Sequence, residues 1–202
     1  MKRIAWLVIS LLLCFAAGAA AENIQPVPAE TYEYGDYAYR LLEDGSAEII
    51  SYTGAALELE IPGELDGHAV TSIGDFAFSW CGSLTGITLP DGVTSIGNSA
   101  FSWCGSLTGV TLPDGVTSIG NSAFRSCFSL TGIILPDSVT SIGNSAFRSC
   151  FSLTDITLPD SVTSIGKDAF DDCADSLALT VGRDSYAMQY AIDNDIRYTY
   201  PE

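Results

Sequence analysis

The chain has 202 residues, 47% of them hydrophobic and 16% charged, with 25 Asp and Glu against 8 Lys and Arg and a formal net charge of −17. Such an acidic surface repels nucleic acid and anionic membranes, and no cluster of Lys or Arg interrupts it. With a single histidine, His68, and no G-x-S-x-G, H-E-x-x-H or phosphate-binding glycine loop, the sequence reads as a non-enzyme without cofactor or metal.

Lys2 and Arg3 precede an apolar run from Ile4 to about Ala17, and Ala19-Ala20-Ala21 supplies the small residues of an A-x-A cleavage site. Residues 1–21 therefore read as a secretory signal peptide, with Glu22 as the new N-terminus. The run is short for a membrane span, which needs about 20 apolar residues. Lipidation at Cys14 is the alternative, but Leu13 precedes it and Cys14 lies inside the apolar run. No second apolar stretch follows, and Tyr198 to Glu202 contains no sorting motif. The expected product is secreted and extracellular, without a membrane partner after cleavage, and either released or held at a cell surface only through non-covalent contacts.

Residues 22–35 read as a flexible, polar, Pro-containing lead. Residues 36–56 predict a β-hairpin cap, in which Tyr37–Leu42 and Ala47–Tyr52 flank an Asp-Gly turn. Tyr32, Tyr34, Tyr37 and Tyr39 read mainly as packing of this cap. Residues 57–181 are repeats. The first coil, Leu57 to Ile73, is irregular: five extra residues between Pro62 and Val70, His68 among them, are expected to bulge as a loop. Four closely similar segments then begin at Leu84, Leu107, Leu130 and Leu153, 23 residues apart. Cys81, Cys104, Cys127, Cys150 and Cys173 keep the same period.

A period of this length specifies stacked coils rather than one closed core. Within a coil, Leu84, Ile87, Leu89, Val93, Ile96, Ala100 and Phe101 are the apolar positions. Leu-Thr-Gly-Ile-Thr-Leu reads as a strand, Pro90-Asp91-Gly92 as a corner, Val-Thr-Ser-Ile as a second strand, and Ser-Ala-Phe-x-x-Cys as a helical or 3₁₀ turn. Stacking at about 4.8 Å per coil makes five coils roughly 25 Å long. Residues 182–202 predict a C-terminal cap, with Asp184-Ser185 starting a helix over Tyr186 to Asp193, Asn194 stopping it, and Arg197–Tyr200 returning as a strand.

The pattern C-x-x-L-x-x-I-x-L-P-x-x-V-T-x-I-G-x-x-A-F, from about Ala47 to Thr180, resembles the BspA-like leucine-rich repeats, and Ser185 to Ala191 is similar to the ending of that family. The resemblance implies a β-rich leucine-rich repeat solenoid, secreted or displayed by bacteria of host-associated communities. Some members act as adhesins toward host matrix proteins or other cells. It carries no binding residues over, because that activity is not tied to a short motif.

Several columns follow from the stacking. Five cysteines at one phase read as buried free thiols, since their Cβ atoms point in parallel and sit farther apart than the ~3.8 Å typical of a bridge. Asp91, Asp114, Asp137 and Asp160 form a carboxylate column that turn formation explains better than calcium. Thr88, Thr111, Ile134 and Thr157 are expected to face outward. Around the cysteine, Trp80-Cys81-Gly82 and Trp103-Cys104-Gly105 give way to Arg125-Ser126-Cys127-Phe128 and Arg148-Ser149-Cys150-Phe151. Either the ring crosses the cysteine in compensated packing, or these residues form an exposed aromatic and arginine strip. Trp80, Trp103, Arg125, Phe128, Arg148, Phe151 and His68 are the candidate binding residues for an unknown extracellular protein or glycan. A structural, self-assembling module is the second reading; a hydrolase is the third and has no converging carboxylates to support it.

Overall fold

The computed structural model describes residues 30–201; the signal-peptide reading, Cys14 and the first part of the lead lie outside them. The chain opens with β1 (Thr31–Tyr34), β2 (Tyr37–Leu41) and β3 (Ala47–Tyr52). β1 pairs antiparallel with β2, and β2 with β3. Thr31–Tyr34, assigned to the flexible lead from sequence, is thus a third strand of the cap. Strict alternation in Thr-Tyr-Glu-Tyr carries the strand signal. Its side chains stay exposed, Tyr34 at 44%, whereas Tyr39 is buried under the stacked ring of Tyr32 and Tyr37 is half-buried against Tyr52, so three of the four tyrosines take part in the cap packing.

β4 (Glu58–Glu60), β5 (Glu64–Leu65) and β6 (His68–Ile73) form the irregular coil. The insertion is not a plain loop. β5 folds back antiparallel on β6 around Asp66-Gly67, both at positive φ, and buries Leu65 completely. The regular strands then alternate: β7 (Gly86–Thr88), β8 (Ser95–Ile96), β9 (Gly109–Thr111), β10 (Ser118–Ile119), β11 (Gly132–Ile134), β12 (Ser141–Ile142), β13 (Asp155–Leu158), β14 (Ser164–Ile165) and β15 (Ala178–Val181). A helix, α1 (Tyr186–Asp193), and a last strand, β16 (Arg197–Thr199), end the chain. Ser185 caps α1 by accepting the Met188 N–H, and Asn194 closes it.

The result is a leucine-rich repeat solenoid of about seven stacked coils, longer than the five counted from the regular repeats. One face is a parallel sheet continuing the cap, in the order β1-β2-β3-β6-β8-β10-β12-β14. A second face carries β4-β7-β9 and β11-β13-β15-β16, two sheets with no ladder joining β9 to β11. At that junction the corner residue Gly115 gives way to Ser138, whose hydroxyl donates to the Val116 carbonyl at 2.6 Å. Thr88, Thr111, Ile134 and Thr157 do point outward from this face, with Ile134 80% exposed.

The third face corrects the helical expectation for Ser-Ala-Phe-x-x-Cys: it is a chain of tight turns. Ser99 and Trp103 are left-handed, at φ 54° and 64°, which no right-handed helix allows. Backbone donors alternate between coils. Ala100 and Ser102 bond back to Gly97 and Ser99, while Ser99, Phe101 and Trp103 donate at 2.8 Å to Asn121, Ala123 and Arg125 of the next coil. Each coil lends its amides to its neighbour, so the turns stack as a sheet does. Glycine is required at the entry: a Cβ on Gly120 would lie 2.6 Å from the backbone of Gly97.

Aromatic rings run through the core from cap to cap. Phe78, Phe101, Phe124, Phe147 and Phe170 stack at 5.2–5.4 Å, with Tyr52 of β3 at one end and Tyr190 of α1 at the other. Beside them, Cys104, Cys127 and Cys150 are buried thiols, each donating from Sγ at 3.0–3.2 Å to a carbonyl of Phe78, Phe101 or Phe124. Burial pushes the Cys104 thiol up to about 12, and Cys173 likewise.

Candidate functional site: an aromatic ladder on the turn face

The turn face positions the candidate residues. Two residues per coil take left-handed backbone: the first is Phe76, Ser99, Ser122, Ser145 and Asp168 in successive coils, the second Trp80, Trp103, Ser126, Ser149 and Asp172. Ser and Asp tolerate this region because a short polar side chain can satisfy the local backbone, whereas a bulky ring there costs roughly 1–2 kcal/mol. Phe76 and Trp80 are nevertheless 63% and 69% exposed, so little burial offsets the cost.

The sequence left open whether the ring exchange around the cysteine is packing or a strip. It is both. Trp80 and Trp103 stack with centroids 4.7 Å apart and planes 1° from parallel. Trp103 meets Phe128 edge-on at 5.8 Å, and Phe128 stacks on Phe151 at 5.3 Å. Phe128 reaches back over Gly105, where an added Cβ would lie 3.3 Å from its ring. The exchange from Trp before the cysteine to Phe after it is thus one continuous ladder over four coils, with Phe151 58% exposed at its end.

The two arginines differ. Arg148 is held by Asp171 at 3.0 Å, Asp172 at 3.4 Å and Asp168 at 3.7 Å of the next coil. Arg125 is exposed and makes no ion pair among the described residues. His68 is not part of the ladder. It starts β6, its Nδ1 lies 2.9 Å from the Gly45 carbonyl, and its ring leans on Tyr39. That position joins the cap to the first coil and does not group with the other six candidates. Phe76 was missed because sequence reading followed the residues beside cysteine; the signal available was an aromatic at a position that holds Ser or Asp in the other coils.

Other surfaces are less built. The second sheet face carries an open groove of about 700 Å³ floored by Gly86, Gly109 and Gly132 and bordered by threonines. The Asp91, Asp114, Asp137 and Asp160 column is exposed at the corners, and no group of three His, Cys, Asp or Glu among the described residues is arranged to hold a metal.

Fold and surface together define a leucine-rich repeat scaffold. The sequence matches the BspA type leucine rich repeat region in six copies over residues 67–190, and the chain belongs to that family. It is similar to a leucine-rich repeat protein of Treponema pallidum, with 38% identity and a TM-score of 0.71 over 75% of this chain and 71% of that one. A Bacteroides ovatus leucine-rich repeat protein gives 34% identity and a TM-score of 0.67, covering 75% of this chain and 40% of its own. The pneumococcal vaccine antigen PcpA shares the fold at 16% identity and a TM-score of 0.59, over 81% of this chain and 48% of its own. No curated protein matches the chain.

Proposed function

We propose that this chain is a secreted, non-enzymatic binding protein whose turn face docks a protein partner outside the cell, in adhesion to host or neighbouring cells. One observation carries the reading: rings stand exposed at left-handed positions where sister coils hold Ser or Asp, so the fold itself has no need of them. Trp is a favoured anchor at the centre of protein interfaces. A glycan is the weaker candidate. A sugar platform needs several open ring faces, and the Trp80–Trp103 stack closes one face of each indole while Phe128 lies against Trp103, so few faces stay open. Secretion is supported by the leader read at residues 1–21, and no described helix is long and apolar enough to cross a membrane.

The test is capture of partners from host-matrix and neighbouring-cell extracts by the parent and by a Trp80→Ser/Trp103→Ser double variant. Proteins retained by the parent and lost by the variant, at unchanged melting temperature, support the reading. An identical set from both removes the ladder from function. Self-assembly is the second reading, favoured by the exposed strand β16, which pairs with β15 on one side and with no strand among the described residues on the other. A concentration-independent monomer mass in light scattering excludes it.

A further inference from the structure

We infer that the free face of Trp80, on the same coil as the exposed Phe76, is a receptor for a cationic side chain, so that the partner presents Lys or Arg to this end of the ladder. The inference rests on the ladder being the binding surface, and it specifies the partner's chemistry.

Three observations converge. The first is the ring itself. Trp80 stacks on Trp103 through one face only, and it remains 69% exposed. Its other face meets no aromatic ring and no cation among the described residues. Indole faces carry the negative pole of the ring quadrupole and are the strongest aromatic partners for ammonium and guanidinium groups.

The second is charge segregation. Between Arg40 and Arg125 the chain has ten Asp and Glu and no Lys or Arg. Phe76, Trp80 and Trp103 all lie in that stretch, while the cations from Arg125 onward sit on later coils. The two coils that carry Phe76, Trp80 and Trp103 therefore have no cation of their own to offer the open indole. The C-terminal cap provides the contrast: Arg183 lies 4.1 Å from the centroid of Tyr200, so an intramolecular cation covers a ring face there.

The third is the setting of the patch. Asp75 precedes Phe76, and its carboxylate is exposed while it anchors Asn98. A guanidinium on the indole would approach a coil whose only formal charges are acidic, an arrangement that attracts cations. A neutral sugar gains nothing from that field, and an acidic partner is repelled by it.

The experiment titrates a tetra-arginine peptide, a tetra-glutamate peptide and cellohexaose into the full chain by calorimetry, and repeats the arginine titration with Trp80→Ser and Phe76→Ser. Both substitutions keep the net charge, and both install the residue that sister coils hold at the same left-handed position, Ser126 and Ser99. Unchanged near-ultraviolet circular dichroism in Phe76→Ser and unchanged melting in both confirm folding. The expected result is saturable binding of tetra-arginine, weakened at least about threefold by Trp80→Ser, with no binding of tetra-glutamate. Equal affinity of Trp80→Ser and the parent would reduce the effect to diffuse charge and overturn the inference. So would tighter binding of cellohexaose than of tetra-arginine at Trp80. If extract partners still depend on Trp80 and Trp103 while tetra-arginine does not, this inference falls and the docking surface stands; if neither depends on them, both fall.

Discussion

At the residue scale, the structure separates side chains the fold needs from side chains it tolerates. Trp80 and Ser149 occupy the same backbone geometry, at φ 66° and 60°, in coils of the same shape. Trp80→Ser should therefore leave the melting temperature within about 2 °C of the parent or raise it, since the lost ring stacking, about 0.5–1.5 kcal/mol, is offset by removing a bulky ring from left-handed backbone, about 1–2 kcal/mol. A fall of ten degrees in thermal denaturation would make the ring structural. The cysteines behave oppositely. Cys104, Cys127 and Cys150 are buried and Cys173 is partly so, and desolvation raises Cys104 and Cys173 to about 12 against an ordinary value of 9.0. An acid whose folded pKa is raised stabilises the fold fully below its unfolded pKa and loses that contribution as pH rises through the folded value. The urea midpoint should thus be level up to about pH 8.5 and fall between pH 9 and 12, with a shallower fall in Cys104→Ala than in the parent. A flat midpoint to pH 11 would contradict burial of the thiols. Alkylation at pH 8 should label Cys81, only half-buried, before Cys127.

At the element scale, each coil is held to the next by side-chain ladders as well as strands. Asp75, Asn98, Asn121, Asn144 and Lys167 form one that composition and spacing did not disclose. The Asn121 carboxamide oxygen accepts the Asn144 N–H at 2.8 Å and its Nδ2 at 3.1 Å, while Asn121 donates to Asn98 at 2.9 and 3.0 Å. The residue type was visible in the repeated Ile-Gly-Asn; its role required knowing that the amide of the next coil lies within reach. Asn121→Ala should cost about 1 kcal/mol, a drop of roughly 2–4 °C in melting temperature. The phenylalanine column is worth more. Phe124 is fully buried between Phe101 and Phe147, and Phe124→Ala should cost about 3–5 kcal/mol by denaturant titration. Both substitutions act in mid-stack, where they uncouple neighbours on either side. The aromatic exchange around Cys104 is also an element-scale fact. The letters showed that a ring changes side; only the coil offset shows that Phe128 fills the space above Gly105 and carries the ladder onward.

At the scale of the whole molecule, the caps decide whether the stack exists alone. Tyr52 and Tyr190 terminate the phenylalanine column, and Ala187 and Ala191 of α1 are buried where the helix covers the last coil. Removing residues 186–201 should expose Phe170 and produce concentration-dependent association in light scattering, where the full chain stays a single species. Secretion belongs to this scale too: expressed in a secreting bacterium, the released protein should show an N-terminal mass beginning at Glu22, and retention of residues 1–21 would remove the leader.

Sequence alone determined the solenoid, its period, the N-terminal hairpin, α1 with its Ser185 cap, and the acidic surface, because each follows from local periodicity or turn chemistry that one coil expresses by itself. Tertiary structure decided what lies across coils. It made Thr31–Tyr34 a strand by giving it β2 to pair with, and turned the insertion into a hairpin by giving Leu65 a core to enter. It placed His68 against Gly45 and bound Arg148 to three aspartates of the following coil, leaving Arg125 free of ion pairs among the described residues. It also put Phe76 and Trp80 on left-handed backbone facing solvent. A side chain's neighbours 23 residues away are set by the stacking offset, and its exposure by backbone handedness. Neither is encoded in any single stretch of the chain, so the scaffold can be read from the sequence while its binding face emerges only when the coils are stacked.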